Sequence, residues 1–167
     1  MMSLIAYALG IMTSFMIPLE QEEVVVQVGS IAQVLVLAEQ RLEEVVQLSE
    51  FDSGVLNLVN EARTLRGYVS LEWDADLVPA AQVRAKESAT CWSHTRPDGT
   101  EFWTVNASLA YGENLGKSDE YNADGMFTAW MNSPSHKENI LFPDFRTMAL
   151  GTYEQDGLFY VAQLFGY

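Results

Sequence analysis

Three side chains in the second half of the chain are of types that bind metals or transfer protons. The two histidines of the sequence, His94 and His136, each lie in a segment rich in polar and turn-forming residues. Glu113 is an acid inside the otherwise apolar or small stretch 110–116. Because an unpaired buried charge is costly, this acid is expected either to face a cleft or to pair with another group. Two imidazoles and a carboxylate match the ligands of hydrolytic zinc sites, and histidine also suits a proton relay.

Covalent catalysis has no comparable signature in the sequence. Cys91 lies three residues before His94, but it follows a helical stretch, and we interpret it as a small buried cysteine. Near the histidines lie Ser93, Ser133 and Ser135, but none of them occurs in a Gly-x-Ser-x-Gly nucleophile elbow. A catalytic triad is therefore not predicted. Taken singly, each histidine also fits an ordinary hydrogen-bonded residue.

Helical and extended patterns alternate along the part of the chain that must position these side chains. Apolar spacing and capping residues predict four helices, over 52–67, 74–89, 123–131 and 133–140. Extended or buried segments are predicted over 71–73, 111–115, 148–154 and 158–165, the last two joined by an Asp-Gly turn. The sequence Pro97-Asp98-Gly99 marks a polar loop next to His94. Helices followed by a closing hairpin indicate a mixed α+β layered fold.

Composition limits the classes of function. The chain has 167 residues, enough for one domain and a short appendage, and 49% of them are hydrophobic, so a packed core is expected. Nine basic and 23 acidic residues give a net charge of −14, the wrong sign for binding nucleic acid or an anionic lipid surface. Nucleic acid is therefore not an expected partner. The single cysteine excludes an intrachain disulfide but does not decide the cellular compartment.

Residues 1–19 form an apolar segment that suggests export or anchoring. From Leu4 to Leu19 the chain is almost continuously apolar, and the first acid is Glu20. This run is shorter than the ~20 residues of a membrane span and resembles the apolar part of a secretory signal, although no Lys or Arg precedes it. We interpret the segment as a signal or membrane tether. The alternative is a buried helix of the fold.

Residues 20–50 have the pattern of a long amphipathic helix. Between Gln21 and Ser49, apolar residues recur at alternating steps of four and three, which is the spacing of helices that pack lengthwise. This predicts a helical spacer over 20–50 and, through 21–49, a surface for self-association. A helix lying on its own domain fits the pattern equally well. The remaining residues, 51–167, are predicted to form the domain that carries the chemistry.

Six motifs in this domain occur together in one order. They are Leu58–Arg63, Leu71–Asp74, Ser93–Gly99, Gly112–Asn114, Trp130–Ile140 and Gln163–Gly166. This set closely resembles the bacterial branch of the CAP superfamily, also called SCP-like, which groups cysteine-rich secretory proteins, antigen 5 and pathogenesis-related class 1 proteins. The resemblance implies an α-β-α sandwich, extracellular or at the cell surface, with a central cleft lined by two histidines and two acids.

The resemblance assigns cleft positions residue by residue. His94 and His136 match the two histidines, and Glu113 matches the acid of the Gly-Glu-Asn motif that Asn114 completes. Ser133 stands where eukaryotic members carry the second glutamate, as is common in the bacterial branch. The resemblance therefore implies a His-Glu-His set as the metal ligands, binding zinc or another divalent ion weakly, with no cofactor required.

Three functions are compatible with this sequence. We favour a non-catalytic binding module whose cleft holds a lipid, a peptide or an envelope component, on the analogy of the family. A metal-assisted hydrolase acting on peptide or envelope material is the second, because of the His-Glu-His set. The third is a structural or interaction module of a surface assembly, in which the helix over 21–49 carries the function. Whether the protein is an enzyme stays open at this point.

Overall fold

The computed structural model describes residues 48–167 in full and the backbone of two short segments before them. Strand β1 (Pro18–Leu19) pairs antiparallel with strand β2 (Glu22–Glu23). Glu22–Glu23 are thus extended, in contrast with the helical spacer predicted over 20–50, because two short strands can satisfy their backbone groups by pairing with each other. The rest of that spacer up to residue 47, and residues 1–17 of the predicted signal or tether, lie outside the described residues.

Residues 48–167 form a compact unit of their own. Its helices are α1 (Glu50–Thr64), α2 (Val78–Thr90), α3 (Ala123–Asn132) and α4 (Pro134–Ile140), with a 3₁₀ turn at Phe102–Asn106. Its strands are β3 (Glu72–Trp73), β4 (Gly112–Ser118), β5 (Thr147–Gln155) and β6 (Leu158–Gly166). Across the part of the chain whose structure is described, no helix is both long and apolar enough to cross a bilayer.

The four strands of this unit form one sheet in the order β3-β5-β6-β4. Strand β6 pairs antiparallel with both β5 and β4, whereas the short β3 runs parallel to β5. The β5–β6 hairpin turns at Asp156 and Gly157, whose φ angles of 54° and 76° are left-handed. Asp-Gly is the residue pair that such a turn favours, so the hairpin is where the sequence predicts it.

Helices cover both faces of the sheet. On one face, α1, α3 and α4 pack through apolar side chains such as Val59, Trp130 and Ile140. On the other, α2 and the 3₁₀ turn pack through Leu77, Ala81 and their neighbours. Two layers of helix around a mixed sheet are the α-β-α sandwich of the α+β class, and this prediction is confirmed.

Two helices begin elsewhere than predicted. Helix α1 begins earlier, because the hydroxyl of Ser49 accepts the Asp52 N–H at 3.0 Å and so caps the first turn. Helix α2 begins at Val78 rather than at Asp74, because the Asp74 carboxylate accepts the N–H groups of Asp76 and Leu77, at 3.0 and 3.2 Å, and holds a separate turn. The types of residue that bind the free N–H groups were thus predicted correctly, but the positions at which the helices begin were not.

Helix α2 lies unusually close to the sheet at Gly151 of β5. A Cβ atom at Gly151 would lie 2.1 Å from the carbonyl carbon of Ala81, so no larger residue fits while the helix keeps its place. The contact fixes the height of α2 above the sheet. It also fixes Arg84, which follows Ala81 by one helical turn.

The outer edge of β4 is covered by side chains. The backbone carbonyl of Glu113 accepts a hydrogen bond from Asn139 Nδ2 at 3.0 Å. The carbonyl of Leu115 accepts another from the buried Trp130 Nε1, also at 3.0 Å. Helices α3 and α4 therefore bind the edge of the strand that carries Glu113.

Near the C-terminal end of α1, the buried side chain of Arg63 joins this helix to two later segments of the chain. Arg63 is 0% exposed. It donates to the backbone carbonyls of Val69, Ile140 and Phe142, each at 2.8 Å, and to that of Phe145 at 3.2 Å. The side chain thus ties α1 to the end of α4 and to the loop that leads into β5.

We expect residues 48–167 to fold alone and to stay folded in reducing buffer. Their core is built by helices and sheet, and Cys91, the single cysteine, is free. Deleting residues 1–47 should leave one cooperative thermal transition, followed by circular dichroism, whose midpoint is the same with and without reductant. Aggregation, or loss of cooperativity, would show that the upstream residues belong to the domain.

Candidate functional site

Glu113 is the second residue of β4, and its side chain is fully buried. Its carboxylate accepts hydrogen bonds from Arg84, with Nε at 2.6 Å from Oε2 and Nη2 at 3.1 Å from Oε1. The Nδ1 atom of His94 lies 2.8 Å from Oε1. Of the two expectations that the sequence left open for this acid, a cleft-facing group or a paired one, the structure shows the paired arrangement.

Arg84 belongs to a line of four charged side chains. Its Nη1 lies 2.6 Å from Glu87 on the same helix, and Arg96 from the following loop binds the other side of Glu87 at 2.8 Å. Burial raises the pKa of Glu87, but the hydrogen bonds from Arg96 and Arg84 outweigh this effect and hold that pKa below its usual value. With Glu113 the line contains two guanidinium groups and two carboxylates. Its charges balance.

His94 lies in the loop that follows α2, and 56% of its side chain is exposed. The loop turns at Gly99, with a φ of 84°, and Thr95 forms an isolated bridge with Glu101. Within this turn, the Arg96 N–H donates to the Thr100 carbonyl at 2.8 Å. The polar loop predicted from Pro-Asp-Gly is therefore present, and it presents the His94 ring at the surface above Glu113.

His136 lies on α4 and is half-buried. Its backbone carbonyl accepts a hydrogen bond from Asn114 Nδ2 at 3.1 Å, and the same amide donates to Gln163 Oε1 on β6 at 2.9 Å. Asn139, one turn further along α4, donates to Asn114 Oδ1 at 2.9 Å as well as to the Glu113 carbonyl. These amides connect α4 to β4, so His136 is held next to the strand that carries Glu113.

The two histidines interact electrostatically. Burial lowers the pKa of His136, and positive charge on His94 lowers it further. The structure therefore brings His94, Glu113, Asn114 and the segment of His136 into one neighbourhood. The Ser133 hydroxyl lies 3.4 Å from that of Ser135 at the junction of α3 and α4, and it takes no part in the contacts described above.

The described part of the chain, residues 48–167, contains no group of three His, Cys, Asp or Glu side chains arranged to hold a metal ion. Glu113 explains why the expected set of His94, Glu113 and His136 is not assembled as a three-ligand centre. Its oxygens already face two Arg84 donors and His94 Nδ1.

Sequence reasoning missed the residues that hold the site together. They are Arg84, Glu87, Arg96, Asn139 and Gln163. Arg84 could have been found, because it falls among the apolar positions Ala80, Ala81 and Ala85 of its helix, and a cation on such a face needs a buried partner. Of the other four, Arg96, Asn139 and Gln163 lie inside the family motifs, but no local pattern indicates which groups they contact.

The interpretation of Cys91 as a buried residue is wrong. Cys91 is exposed, and it follows the last residue of α2 with extended backbone angles of φ −138° and ψ 98°. The chain has left the helix at this point, so the thiol does not face the sheet. The following Trp92 is also 48% exposed.

We expect His136 to make stability depend on pH. The unfolded chain should titrate this group near ~6.5, and the folded chain at a lower value. The unfolded state then binds more protons between the two values, so the contribution of His136 is fully present above about pH 6.5 and is lost as the pH falls through the folded pKa. Urea unfolding in chelator should show a smaller decline towards acid in His136→Gln than in the wild type. Lys137→Gln is the control, and equal slopes in wild type and His136→Gln would contradict the expectation.

Known proteins resemble this chain in sequence and in fold. The curated protein YkwD of Bacillus subtilis (strain 168), itself uncharacterized, is 28% identical over 126 residues, which cover 71% of this chain and 48% of the relative. The chain therefore spans about half the length of that relative. The structure of an outer surface protein from Borrelia burgdorferi superposes with a TM-score of 0.54 at 27% identity, covering 67% of this chain and 88% of the other.

A second solved structure shows the same fold. It is an extracellular protein containing an SCP domain from Bacillus anthracis, with a TM-score of 0.56 and 20% identity, covering 70% of this chain and 40% of the other. The sequence family described as the cysteine-rich secretory protein family, CAP, matches residues 56–165. That match begins inside α1, ends in β6 and includes His94, Glu113 and His136, so this chain belongs to the CAP family, as its motifs predict.

Proposed function

We propose that this chain is an extracellular or surface-located binding domain, and that ligands contact it at the imidazoles of His94 and His136. One observation carries the proposal. Glu113, the acid that contacts His94, is fully buried and is paired with Arg84, so it supports His94 without being free to attack, to accept a substrate proton or to ligate a metal. The imidazoles of His94 and His136 remain to contact a ligand, and such groups suit recognition.

A lipid, a peptide and an envelope component are the three classes of ligand considered. Among them, the charge of the domain favours an uncharged polar ligand. Residues 51–167 carry eight basic and sixteen acidic side chains, so their field opposes an anionic lipid. The line from Arg96 to Glu113 is balanced, so the floor of the site adds no net attraction for an ion of either sign. Imidazoles recognise groups that form hydrogen bonds. A peptide or a neutral envelope component fits these conditions better than a lipid does.

The two other functions have less support. A metal-assisted hydrolase needs a third protein ligand or a free general base, and the pairing with Arg84 occupies the carboxylate that would supply either. An interaction module based on 21–49 rests on residues mostly outside the described ones. A divalent ion bound by the two imidazoles would add a positive charge that polarises a bound carbonyl group.

The proposed location rests on two observations. The relative from Borrelia burgdorferi is named an outer surface protein. Residues 1–19 of this chain have the apolar pattern of a signal or tether. A membrane tether through 1–19 and self-association through 21–49 stay part of the proposal. Fractionating cells that express the full chain or the chain without 1–19 tests the location, which is wrong if both forms stay equally in the cytoplasm.

Zinc calorimetry tests the imidazole pair directly. We expect affinity far below that of a closed four-ligand site, and loss of binding in both His94→Ala and His136→Ala. Ser133→Ala is the matched control and should bind zinc as the wild type does. Tight binding that persists in His136→Ala would contradict the assignment.

Nuclear magnetic resonance with defined probes tests the function itself. Uncharged peptides and soluble peptidoglycan fragments are titrated into the labelled protein, and the proposal expects shifts centred on His94 and His136 with the probe recovered intact. Shifts confined to other surfaces would contradict the binding site. Turnover of a probe that His136→Ala abolishes would replace the binding function by a hydrolytic one.

A further inference from the structure

Arg84 binds polar groups that lie beneath and beside His94. Its side chain is 0% exposed, and each of its three nitrogens has a partner. Nε and Nη2 bind the two oxygens of Glu113, and Nη1 binds Glu87. Nη2 also donates to the backbone carbonyl of Ser93 at 2.8 Å. One guanidinium thus holds both the carboxylate under the His94 ring and the peptide group immediately before His94.

The fork of Arg84 sets the orientation of Glu113. A guanidinium bound to both oxygens of a carboxylate fixes its plane, which a single ammonium cannot do. The fork is itself held from the far side, because Glu87 is bound by Arg96, whose Nη1 lies 3.2 Å from Thr104 Oγ1. Oε1 of Glu113 therefore has a fixed position beneath the imidazole.

A fixed carboxylate decides which nitrogen of His94 carries the proton. A carboxylate accepts hydrogen bonds but does not donate them, and Oε1 lies 2.8 Å from Nδ1. The neutral ring must then carry its hydrogen on Nδ1, which leaves Nε2 as an acceptor. A ligand group that meets Nε2 has to be a hydrogen-bond donor or a cation.

We propose that Arg84 is the positioning residue of this site. Through Glu113 it fixes His94 as the Nδ1–H tautomer, and it thereby selects ligands that present an N–H, an O–H or a metal ion to Nε2. The choice of ligand rests on the function proposed above. The tautomer is a property of the protein without ligand, so the two can be tested apart.

Long-range ¹⁵N–¹H correlation spectra of the full chain, recorded in chelator at a fixed alkaline pH, report the tautomer. The wild type should show His94 with Nδ1 protonated and Nε2 bare. Arg84→Lys keeps the positive charge but loses the fork, and it should shift the tautomer ratio about tenfold towards Nε2–H, the equivalent of one hydrogen bond. Arg66→Lys makes the same change at an exposed arginine that donates to the Ala62 carbonyl, outside the line from Arg96 to Glu113, so it is the control and should keep the wild-type pattern.

Two results would overturn the proposal: Nε2–H as the main tautomer of the wild type, or a wild-type tautomer ratio in folded Arg84→Lys. If Arg84→Lys does not fold, Glu87→Ala carries the test, because it removes the partner of Nη1 at a side chain that is 17% exposed. Solvent exchange of the His94 Nδ1 proton should then be about tenfold faster, and an unchanged rate refutes the role of Arg84.

Ligand titrations separate the two proposals. If the tautomer behaves as stated and neither zinc nor the peptide and peptidoglycan probes perturb His94, the binding function fails while the positioning role stands. If the probes bind at His94 and the tautomer ignores Arg84→Lys, the positioning role fails while the binding function stands.

Discussion

Replacing Arg63 with alanine is expected to lower the free energy of unfolding by about 3–5 kcal/mol, one of the two largest effects expected in this protein. The wild-type side chain satisfies four backbone carbonyls, two of them in fully buried hydrogen bonds to Ile140 and Phe145. Alanine leaves these acceptors without their donors and opens a cavity between α1 and the loop before β5. Urea unfolding followed by circular dichroism measures the loss.

Arg66→Ala is the matched control. Arg66 lies close to Arg63 in the sequence and donates to the Ala62 carbonyl at 2.9 Å, but it is exposed. Its replacement should cost less than about 1 kcal/mol. Arg63→Lys, which offers fewer donors in one plane, should fall between the two. Equal losses in Arg63→Ala and Arg66→Ala would show that the buried hydrogen bonds do not hold the loop.

Replacing Glu113 with leucine is expected to cost a similar ~3–5 kcal/mol, because it leaves Arg84 buried without its main partner. The side chains of both residues are 0% exposed, and the bidentate pair joins α2 to β4. The His94 ring also loses the acceptor of its Nδ1. We therefore expect a lower unfolding free energy together with loss of the single His94 tautomer, measured by urea unfolding and by nuclear magnetic resonance.

The double variant Arg84→Met and Glu113→Leu tests why Glu113→Leu destabilises the protein. The cause is either the unpaired charge of Arg84 or the loss of packing contacts. Replacing a buried ion pair by apolar residues of similar volume is often close to neutral for stability. The double variant should therefore be more stable than Glu113→Leu alone, a non-additive result. Additive losses would mean a coupling energy near zero, so that Arg84 and Glu113 do not stabilise each other and the stranded-charge explanation fails.

The hairpin and the helices of the fold could be predicted because their signals are local. The strand-like runs over 148–154 and 158–165 and the Asp-Gly turn between them specify β5 and β6 without reference to the rest of the chain. The N-termini of α1 and α2 were misplaced because Ser49 and Asp74 offer competing caps that periodicity does not separate.

The sequence indicated the candidate functional residues of the site but not the residues that position them. The residue types of His94, Glu113 and His136 and the family motifs indicate which groups belong together. The partner of Glu113 lies 29 positions away, and although the apolar face around Arg84 indicates that this cation is buried, nothing in the sequence pairs it with Glu113. The expected three-ligand metal set is not assembled among the described residues. The contact that occupies the Glu113 carboxylate comes from Arg84, which is distant in the sequence, so the sequence does not reveal this competition.

The covered edge of β4 also restricts how a ligand can be recognised. An open edge strand is a template on which a peptide, or a second copy of the chain, can add as a further strand. Here the carbonyls of Glu113 and Leu115 already accept from Asn139 and Trp130. A peptide bound at the proposed site is therefore expected to be recognised by side chains rather than by backbone pairing at these two positions. Edge-to-edge association would need the same two carbonyls, so the expected mode of recognition and the resistance of this strand to aggregation depend on the same atoms.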